Sequence, residues 1–485
     1  MNGNDIMQLG FPAGKVIGLA LQAAQTAEAE GYAAEEILSN LSDVLANPDN
    51  FLDNPLYGAV AEALAGADHN KQASGYDLGH TAPYQVWGAD GIEAGALDQM
   101  KRAARLPVSI RGALMPDAHQ GYGLPIGGVL ATDHSVIPYA VGVDIACRMK
   151  MTVFNASPHV LEQKREKFRT ILEEQTRFGA GSQWETPRDH AVMDDPLWDE
   201  HPQARSRKDA AWRQLGTSGS GNHFVEFGAL TVHAEIDSPL GKIPPGTYLA
   251  LLSHSGSRRF GLEMAEYYTK VAMQQRHGLP KDFIHLAWLD LDEEAGQEYW
   301  AAMELAGRYA SANHAVIHRQ VIDALRVPVL GGIENHHNFA WKEMVDGREA
   351  VVHRKGATPA GQDVLGVIPG SMSAPGFVVR GLGNIEALAS AAHGAGRRMS
   401  RKAALEKFDW DVVKRKLKAD GVELLSAGLD EAPGAYKDIR QVMADQADLV
   451  VALAEFQPKL VKMDSGDKPS WDKKGGGKKK GKGRR

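Results

Sequence analysis

The chain contains 485 residues, of which 43% are hydrophobic and 24% are charged, a composition typical of a globular protein with a sizeable core. Its formal net charge is −7, but the segment from Lys473 to Arg485 holds eight basic residues and no acidic ones, so residues 1–472 carry −15. The first residues lack the pattern of a secretory signal, and no apolar run approaches the roughly 20 residues that cross a bilayer, so neither a secreted nor a membrane-spanning protein is expected.

Residues 1–75 are predicted to form a helical N-terminal extension. Within residues 14–66, Ile37, Leu41 and Val44 recur at helical spacing, and Pro48 stops the pattern. No residue with a chemical role stands out there, so we expect an accessory packing or interaction region.

Residues 76–463 are predicted to form one catalytic domain. Strand-like runs at 108–114, 148–154, 247–252 and 349–354 alternate with glycine-rich loops, and the longest helix is expected at about 293–325, before Pro328. This order lacks regular β-α-β alternation, so we predict an α+β fold with a mixed sheet in preference to a doubly wound sheet.

Residues 464–485 are predicted to form a disordered basic tail, because such a composition cannot bury a core. The tail is either a non-specific phosphate-binding arm or a solvated end. As an arm it would add only salt-sensitive affinity that does not depend on sequence.

Asp144 and Cys147 form the first candidate site, in the run AVGVDIACRM. A carboxylate and a thiolate three residues apart can reach one metal ion from a single turn, and the pair suits Mn, Fe, Co or Zn. Taken alone, a single cysteine beside a strand is more often a small core residue than a metal ligand. It is the only cysteine of the chain, which excludes an intramolecular disulfide and is consistent with a reducing cytoplasm.

Four histidines lie in loops rich in glycine or small residues, where the backbone can approach a ligand closely. They are His223 in SGNHFVE, His254 in LLSHSGS, His337 in ENHHNF and His393 in AAHGAG. A single histidine of this kind can be a hydrogen-bonded core residue. Four in similar contexts favour a metal or catalytic site.

Three arginines follow these histidines at short spacing. Arg258 comes four residues after His254, and Arg397 and Arg401 come four and eight residues after His393. If the segment GRRMSRKAALEKF begins a helix, Arg397 and Arg401 share one of its faces. Guanidinium groups suit phosphate oxygens, although a solvated basic face is the alternative interpretation.

Seven motifs in sequence order resemble those of RtcB-type RNA ligases: MPDAHQGYGLPIGG (115–128), VGVDIAC, GNHFVE, HSGSR, HNF, PGSM and HGAGRxMSR. They lie between about residues 84 and 462. Any one of them would be a weak signal, whereas the ordered set is specific.

The resemblance implies a ligase that uses GTP and manganese. In this family a histidine attacks the α-phosphorus of GTP, giving a guanylyl-histidine and pyrophosphate. An RNA end that carries a 2′,3′-cyclic phosphate is first opened to a 3′-phosphate. The guanylate then passes to that 3′-phosphate. A 5′-hydroxyl end finally attacks the activated phosphate and releases GMP, in RNA repair or tRNA splicing. An archease-like activator is a possible partner, and no membrane is involved.

The resemblance also assigns residues. His393 is the nucleophile. Two Mn²⁺ ions are held by Asp144, Cys147, His223, His254 and His337, with the Cys147 thiolate between them. The guanylate is bound by Asn222, Glu226, Asn338, Pro369, Gly370, Ser371, Met372, Gly394, Ala395, Gly396 and Lys462. RNA phosphates are bound by Arg258, Arg397 and Arg401. Asp117 and His119 are expected to orient ligands from outside the first coordination sphere.

Two positions depart from the family pattern. Gly376 stands where a serine usually contacts the nucleotide, and Arg148 follows Cys147 where a glycine is common. We expect one missing hydrogen bond at the first and added bulk and charge at the second. These departures concern substrate preference more than the core chemistry.

Other motifs are weaker. Lys418-Ala419-Asp420-Gly421 spells the KxDG motif of lysine-nucleophile ligases, but it also fits the end of an amphipathic helix. His314 and His318 have the spacing of a zinc helix without the glutamate of HExxH, so packing or surface roles are expected. The rival functions are a metal-dependent phosphatase or cyclic phosphodiesterase without guanylylation, and an RNA- or partner-binding paralogue.

Overall fold

The computed structural model describes residues 15–52, 54–69 and 75–466, together with residues 6, 9 and 11. The basic tail from Lys473 lies outside the described residues. The chain divides into two compact units, the first reaching Asp77 and including Gly278–Pro280, and the second holding the remainder. Among the described residues, no helix has the length and apolar character that a membrane crossing requires.

The first unit is helical, as predicted. Its helices are Lys15–Ala29 (α1), Ala34–Ala46 (α2) and Gly58–His69 (α3). Ala20, Leu41 and Val60 are buried in its own apolar core. Within each helix the buried residues recur at helical spacing, as Ala20, Ala23, Ala24 and Ala27 do in α1, so each helix buries one face.

The second unit contains the other helices and the strands of the described chain. Its helices are α4 (Ala94–Ala103), α5 (Pro138–Val141), α6 (His159–Gln163), α7 (Arg165–Gln175), α8 (Leu197–Glu200), α9 (Lys208–Gln214), α10 (Arg258–Gln275), α11 (Glu294–Leu325), α12 (Arg401–Lys407), α13 (Trp410–Ala419) and α14 (Ile439–Ala444). Its strands are β1 (Tyr84–Val86), β2 (Ser109–His119), β3 (Ile126–Thr132), β4 (Ser135–Val136), β5 (Arg148–Phe154), β6 (Phe224–Val232), β7 (Ile236–Ser238), β8 (Gly241–Ile243), β9 (Gly246–Ser255), β10 (Leu289–Asp290), β11 (Val329–His336), β12 (Asn338–Val345), β13 (Arg348–Lys355), β14 (Ala357–Pro359), β15 (Leu365–Ile368), β16 (Gly376–Gly381), β17 (Ser390–Ala392), β18 (Glu423–Ser426) and β19 (Val450–Met463).

The largest sheet is nearly closed. Its strand order is β11-β5-β9-β6-β19-β16-β15, and β18 pairs with β19 in parallel. The two ends of this order are joined through Asn335 of β11, whose Oδ1 accepts from the Val367 amide of β15 at 2.8 Å while its Nδ2 donates to the Val367 carbonyl at 3.3 Å. A five-stranded sheet in the order β1-β2-β3-β13-β12 also includes one parallel pair. The predicted α+β fold with mixed sheets is therefore confirmed.

The register of the large sheet brings four distant segments together. β5 and β6 are both antiparallel to β9, and β11 is antiparallel to β5. The residues just before β5 and β6, Cys147 and His223, therefore meet the end of β9 at His254 and the residue after β11, His337. Helix α11 packs on the opposite face through apolar residues such as Ile317, beside Phe227.

The helix start considered for the segment with Arg397 and Arg401 differs from the one in the structure. Helix α12 begins only at Arg401, because the Ser400 side chain caps it by accepting from the Ala403 amide at 3.2 Å. Arg397 precedes the helix and forms an isolated bridge with Tyr436. The condition that would have placed Arg397 and Arg401 on one helical face is therefore not met.

Candidate functional site

A cavity of about 550 Å³ opens at the sheet edge where the four segments meet. Its lining includes these predicted site residues: Asp144, Cys147, Asn222, Glu226, His254, His337, Asn338, Pro369, Gly370, Ser371, Met372, His393, Gly394, Ala395, Gly396, Arg397 and Arg401. Among the described lining residues, three predicted ones are missing: His223, Arg258 and Lys462.

The cysteine lies among the imidazoles. Its Sγ is 3.0 Å from the Nε2 of His254 and 3.5 Å from the Nε2 of His223. The His223 Nε2 is also 3.0 Å from the Asp144 Oδ2, and the Nε2 of His254 is 3.2 Å from that of His337. The thiol thus lies between a carboxylate–imidazole pair and an imidazole pair.

A strained turn brings Asp144 and Cys147 to one point. Ala146 between them has φ of +55°, a left-handed conformation that costs an L-residue about 1–2 kcal/mol. The Ala146 amide donates to the Asn338 carbonyl at 2.6 Å, and the Cys147 amide donates to the Asp144 carbonyl at 3.1 Å. These two hydrogen bonds hold the turn.

Backbone carbonyls set the tautomers of two of the histidines. The Nδ1–H of His223 donates to the Ser218 carbonyl at 2.6 Å, and that of His254 donates to the Asn222 carbonyl at 3.2 Å. In the neutral His254 the Nε2 therefore carries a lone pair aimed at the Cys147 thiol, and the Nε2 of His223 lies between that thiol and the Asp144 carboxylate. This is the usual arrangement around a metal ion.

The protonation states of His254, His337 and Cys147 are compatible with the binding of a cation between them. Burial lowers the pKa of His254 and of His337 well below the ordinary value, so both are neutral donors. Burial raises the pKa of the Cys147 thiol well above its ordinary value, and a metal ion would reverse this. The Nδ1 of His337 is buried without a hydrogen-bond partner. Cys147, His223 and His254 have donor atoms within 4.8 Å of one another, so the donor set fits a divalent metal ion.

His393 is oriented by Asp117. The fully buried Asp117 places its Oδ2 2.7 Å from the His393 Nδ1, and the same oxygen accepts from the amides of His393 (3.1 Å) and Gly394 (3.3 Å). The proton on Nδ1 leaves the Nε2 lone pair free as a nucleophile. The ring of His393 lies 4.9 Å from that of His337, centroid to centroid.

His119 also lines the cavity. Its Nδ1 lies 3.1 Å from the Asp117 carbonyl oxygen. Burial lowers the pKa of His119 to about 4, so this imidazole is neutral. Asp117 and His119 were predicted to orient metal ligands. In the structure the carboxylate of Asp117 instead contacts the predicted nucleophile, His393.

A buried glutamate joins two predicted arginines. Glu431 bonds to Arg401, to the Tyr436 hydroxyl and, at 3.4 Å, to the Nη1 of Arg397. All four side chains line the cavity. Glu431 and Tyr436 were not predicted as site residues, because the segment LDEAPGAYKD contains no motif that suggests a site.

Glu226 lies in the cavity wall and is only 4% exposed. Burial raises the pKa of its carboxyl well above the ordinary value. Such a carboxyl gains from a ligand that donates hydrogen bonds to it.

Arg258 and Lys462 contact protein groups outside the cavity lining. The Nε of Arg258 donates to the Thr217 Oγ1 at 3.0 Å. The Lys462 amine donates to the carbonyls of Leu172 (2.9 Å) and Thr176 (3.3 Å), near the C-terminal end of α7.

A buried lysine in the cavity wall was not predicted. Lys355 donates to the carbonyls of Tyr122 and, at 2.9 Å, Leu124, in the glycine-rich loop between β2 and β3. Burial lowers the pKa of this amine to about 7. The sequence signal was slight, a lysine at the end of a strand just before Gly356.

The two departures from the family pattern lie in different places. Gly376 lines the cavity, and a Cβ added there would be 3.4 Å from the Ile368 carbonyl oxygen, which leaves room for a serine. Arg148 instead bonds to Glu334 and is not among the lining residues. The Arg148 guanidinium is thus paired with Glu334 outside the lining of the cavity that contains Cys147.

Comparison with known proteins identifies a matching family and several relatives. The family described as "tRNA-splicing ligase RtcB" matches residues 99–201 and 185–464. The "RNA-splicing ligase RtcB" of Escherichia coli strain K12 is 34% identical over 404 residues, covering 76% of this chain and 94% of that protein. The "tRNA-splicing ligase RtcB" of Thermococcus kodakarensis is 31% identical over 436 residues, covering 75% and 89%. The "RNA-splicing ligase RtcB" of Mycobacterium bovis is 29% identical over 432 residues, covering 74% and 98%.

Proposed function

The chain belongs to the RtcB family and is an RNA ligase of RNA repair or tRNA splicing, and we propose that it joins RNA 3′-phosphate or 2′,3′-cyclic phosphate ends to 5′-hydroxyl ends with GTP and two Mn²⁺ ions. We assign the catalytic domain to residues 76–463, with a helical extension before it and a basic tail after it. Since the Cys147 thiol must stay reduced to bind metal, we place the enzyme in the cytoplasm.

The His393–Asp117 pair carries the proposal. The carboxylate fixes the proton on Nδ1, so that Nε2 can attack the α-phosphorus of GTP. A bond forms from Nε2 to phosphorus as the bond to the pyrophosphate oxygen breaks. Asp117 also stabilises the positive charge that the ring acquires on attack.

We assign the metal ions to Asp144, Cys147, His223, His254 and His337. The position of the thiol between two donor pairs supports a bridging role. When bound, the ions would supply positive charge against the phosphates and lower the pKa of a bound water or hydroxyl. The protein's share is to hold the donor atoms in place and, by burial, to keep the imidazoles of His254 and His337 neutral.

We assign guanine recognition to Glu226. The N1 and N2 groups of guanine both donate hydrogen bonds, and this buried carboxyl accepts them without competition from water. Asn222, Asn338, residues 369–372 and residues 394–396 complete the proposed nucleotide site. For Lys462 the proposal requires its amine to leave the carbonyls beside α7.

We assign RNA phosphate binding to Arg397 and Arg401 at the cavity, with Arg258 behind the loop that carries His223. Glu431 limits the freedom of both cavity arginines, so their guanidinium groups lose less entropy when a phosphate binds. We also propose an archease-like activator as a partner.

The test is incubation with α-labelled GTP and Mn²⁺. We expect an acid-labile labelled adduct that is lost in His393→Ala and in Cys147→Ala, although both variants keep the circular dichroism of the natural chain. Ligation of a cyclic-phosphate RNA to a 5′-hydroxyl RNA should follow the adduct. Release of cyclic phosphate without any adduct would instead support the phosphatase or cyclic phosphodiesterase. An adduct that survives in His393→Ala and disappears in Lys418→Ala would move the nucleophile to the KxDG motif.

A further inference from the structure

Helix α11 presents a row of buried polar side chains to the sheet. Asn313, His314 and His318 are 0%, 0% and 2% exposed. Their partners lie on the helix-facing side of β5 and β9 and in the loop that precedes His223. Buried polar groups are costly unless each one is hydrogen-bonded, so a row of them in an otherwise apolar interface calls for a role.

Asn313 fixes the loop before His223. Its Oδ1 accepts from the Gly216 amide at 2.7 Å, and its Nδ2 donates to the Thr217 carbonyl at 3.0 Å and to the Ser255 Oγ at 3.1 Å. One amide side chain thus joins two backbone groups of the loop to the end of β9.

The same hydroxyl continues the path to the metal ligand. Ser255 donates from Oγ to the Ser218 carbonyl at 2.8 Å, and that carbonyl accepts from the His223 Nδ1 at 2.6 Å. The orientation of the His223 ring therefore depends on a carbonyl that Asn313 holds through Ser255. Successive residues on a strand face opposite sides, so Ser253 and Ser255 face α11 while His254 between them faces the cavity.

His314 holds the strand on both sides of His254. Its Nε2 lies 3.1 Å from the Ser255 carbonyl, which can only accept, so Nε2 carries the proton. The Nδ1 of His314 must then accept from the Ser253 hydroxyl, at 2.7 Å. Both residues that flank His254 are thus bound to one imidazole.

The chain of hydrogen bonds has one consistent direction. Ser253 accepts from the His318 Nε2 at 2.8 Å, and the His318 Nδ1 accepts from the Thr152 hydroxyl at 2.7 Å. Burial lowers the pKa of His314 to about 3 and that of His318 well below its ordinary value, so both rings are neutral and every member has its partner. A fully satisfied buried network specifies one arrangement of its members.

We propose that Asn313 and His314 are positioning residues that preorganise His223 and His254 for metal binding. They contact neither metal nor substrate, and they act through the Ser218 carbonyl and the two serines that flank His254. The inference rests on the proposed metal centre. It assigns a function to a helix that contributes no residue to the cavity lining among the described residues.

Titration of the purified metal-free chain with Co²⁺ tests this inference, because thiolate-to-cobalt absorption reports both affinity and coordination geometry without catalytic turnover. Asn313→Leu removes all three hydrogen bonds. Asn313→Asp has the same shape but cannot donate to the Thr217 carbonyl. We expect both to weaken Co²⁺ binding, by roughly 10- to 100-fold for the Leu variant, and to alter the absorption spectrum.

Ile317→Val is the matched control, since it lies one turn further along α11 and removes a core methylene without touching the polar row. If the Asn313 variants lose thermal stability like Ile317→Val but keep the Co²⁺ affinity and spectrum of the natural chain, their role is only structural and the inference is wrong. If Asn313→Leu does not fold, the Asn313→Asp result decides. Absence of the thiolate band in the natural chain itself, with Cys147→Ala indistinguishable, would overturn the proposed metal centre instead.

Discussion

At the scale of single residues, the most consequential contact is the one between Asp117 and His393, which are 276 positions apart. Under the proposed mechanism, the carboxylate on Nδ1 leaves Nε2 as the nucleophilic nitrogen. It also favours the charged ring that forms on attack.

Replacing Asp117 by Asn should therefore slow guanylylation of His393 by roughly 100- to 10,000-fold, as for other carboxylates that set a histidine tautomer. The KM for GTP should change little, since Asp117 is not among the predicted nucleotide contacts. Single-turnover labelling measures the rate. Asp195→Asn, which removes a carboxylate that pairs with Arg308, is the control. An unchanged labelling rate in Asp117→Asn would contradict the orienting role.

A second prediction at this scale concerns Lys355. The pKa of its amine is about 7 in the folded protein and 10.5 ordinarily. Below pH 7 the amine is protonated in both states, so the folded state bears the full cost of a buried charge. Between pH 7 and 10.5 the unfolded chain binds more protons, so stability due to this group rises with pH by about 1.4 kcal/mol per unit.

Lys355→Met removes this dependence. The free energy of unfolding of the natural chain, relative to that of the variant, should therefore increase from pH 7 to pH 9 in denaturant titrations. Lys402→Met, at an exposed helical site, is the control substitution. A difference between natural chain and Lys355→Met that stays constant with pH would show that the amine keeps its charge when buried.

At the scale of secondary structure elements, Asn335 joins the two ends of the large sheet. Asn335→Ala leaves the buried Val367 amide without its side-chain acceptor, which should lower the free energy of unfolding by about 1–3 kcal/mol. Urea unfolding measures this. Met344→Ala, at an exposed position of β12, should have little effect. Equal stability in both variants would mean that Asn335 does not hold the sheet ends together.

How far the sequence predicts these elements depends on the range of the interactions involved. The run RMKMTVF predicted β5 at its observed bounds, and Pro328 helped to place the end of α11, because local patterns decide both. A shared helical face for Arg397 and Arg401 was conditional on a helix that begins before Arg397, and Ser400, a residue type that commonly caps helices, starts the helix after it. His314 and His318 were expected to pack or lie at the surface, and only the tertiary structure reveals the serines that they bind. Asp117, Lys355 and Glu431 acquire their partners across the fold, and no spacing in the sequence shows this.

At the scale of the whole molecule, the chain combines an acidic body, with a formal charge of −15 over residues 1–472, and eight basic residues from Lys473 to Arg485. Arg397 and Arg401 at the cavity are already bonded to Glu431, which offsets part of their positive charge. Positive charge on the tail would add to theirs and raise the local concentration of RNA. If residues 467–485 act as a phosphate-binding arm, their deletion should weaken RNA binding at low salt and flatten its dependence on salt. Fluorescence anisotropy at several salt concentrations measures both, and GTP labelling of His393 provides the control. Superimposable salt curves would make the tail a solvated end.

The strand order of the large sheet has a consequence for how the enzyme is made. β19, the last strand of the described chain, lies between β6 and β16, which are synthesised much earlier. Until residues 450–463 have emerged from the ribosome, β6 and β16 therefore lack the strand that pairs with both of them. Residues of β6, β16 and β19 all line the cavity, so an incompletely translated chain would lack part of the cavity wall. Ligation activity would therefore first be possible when β19 is complete.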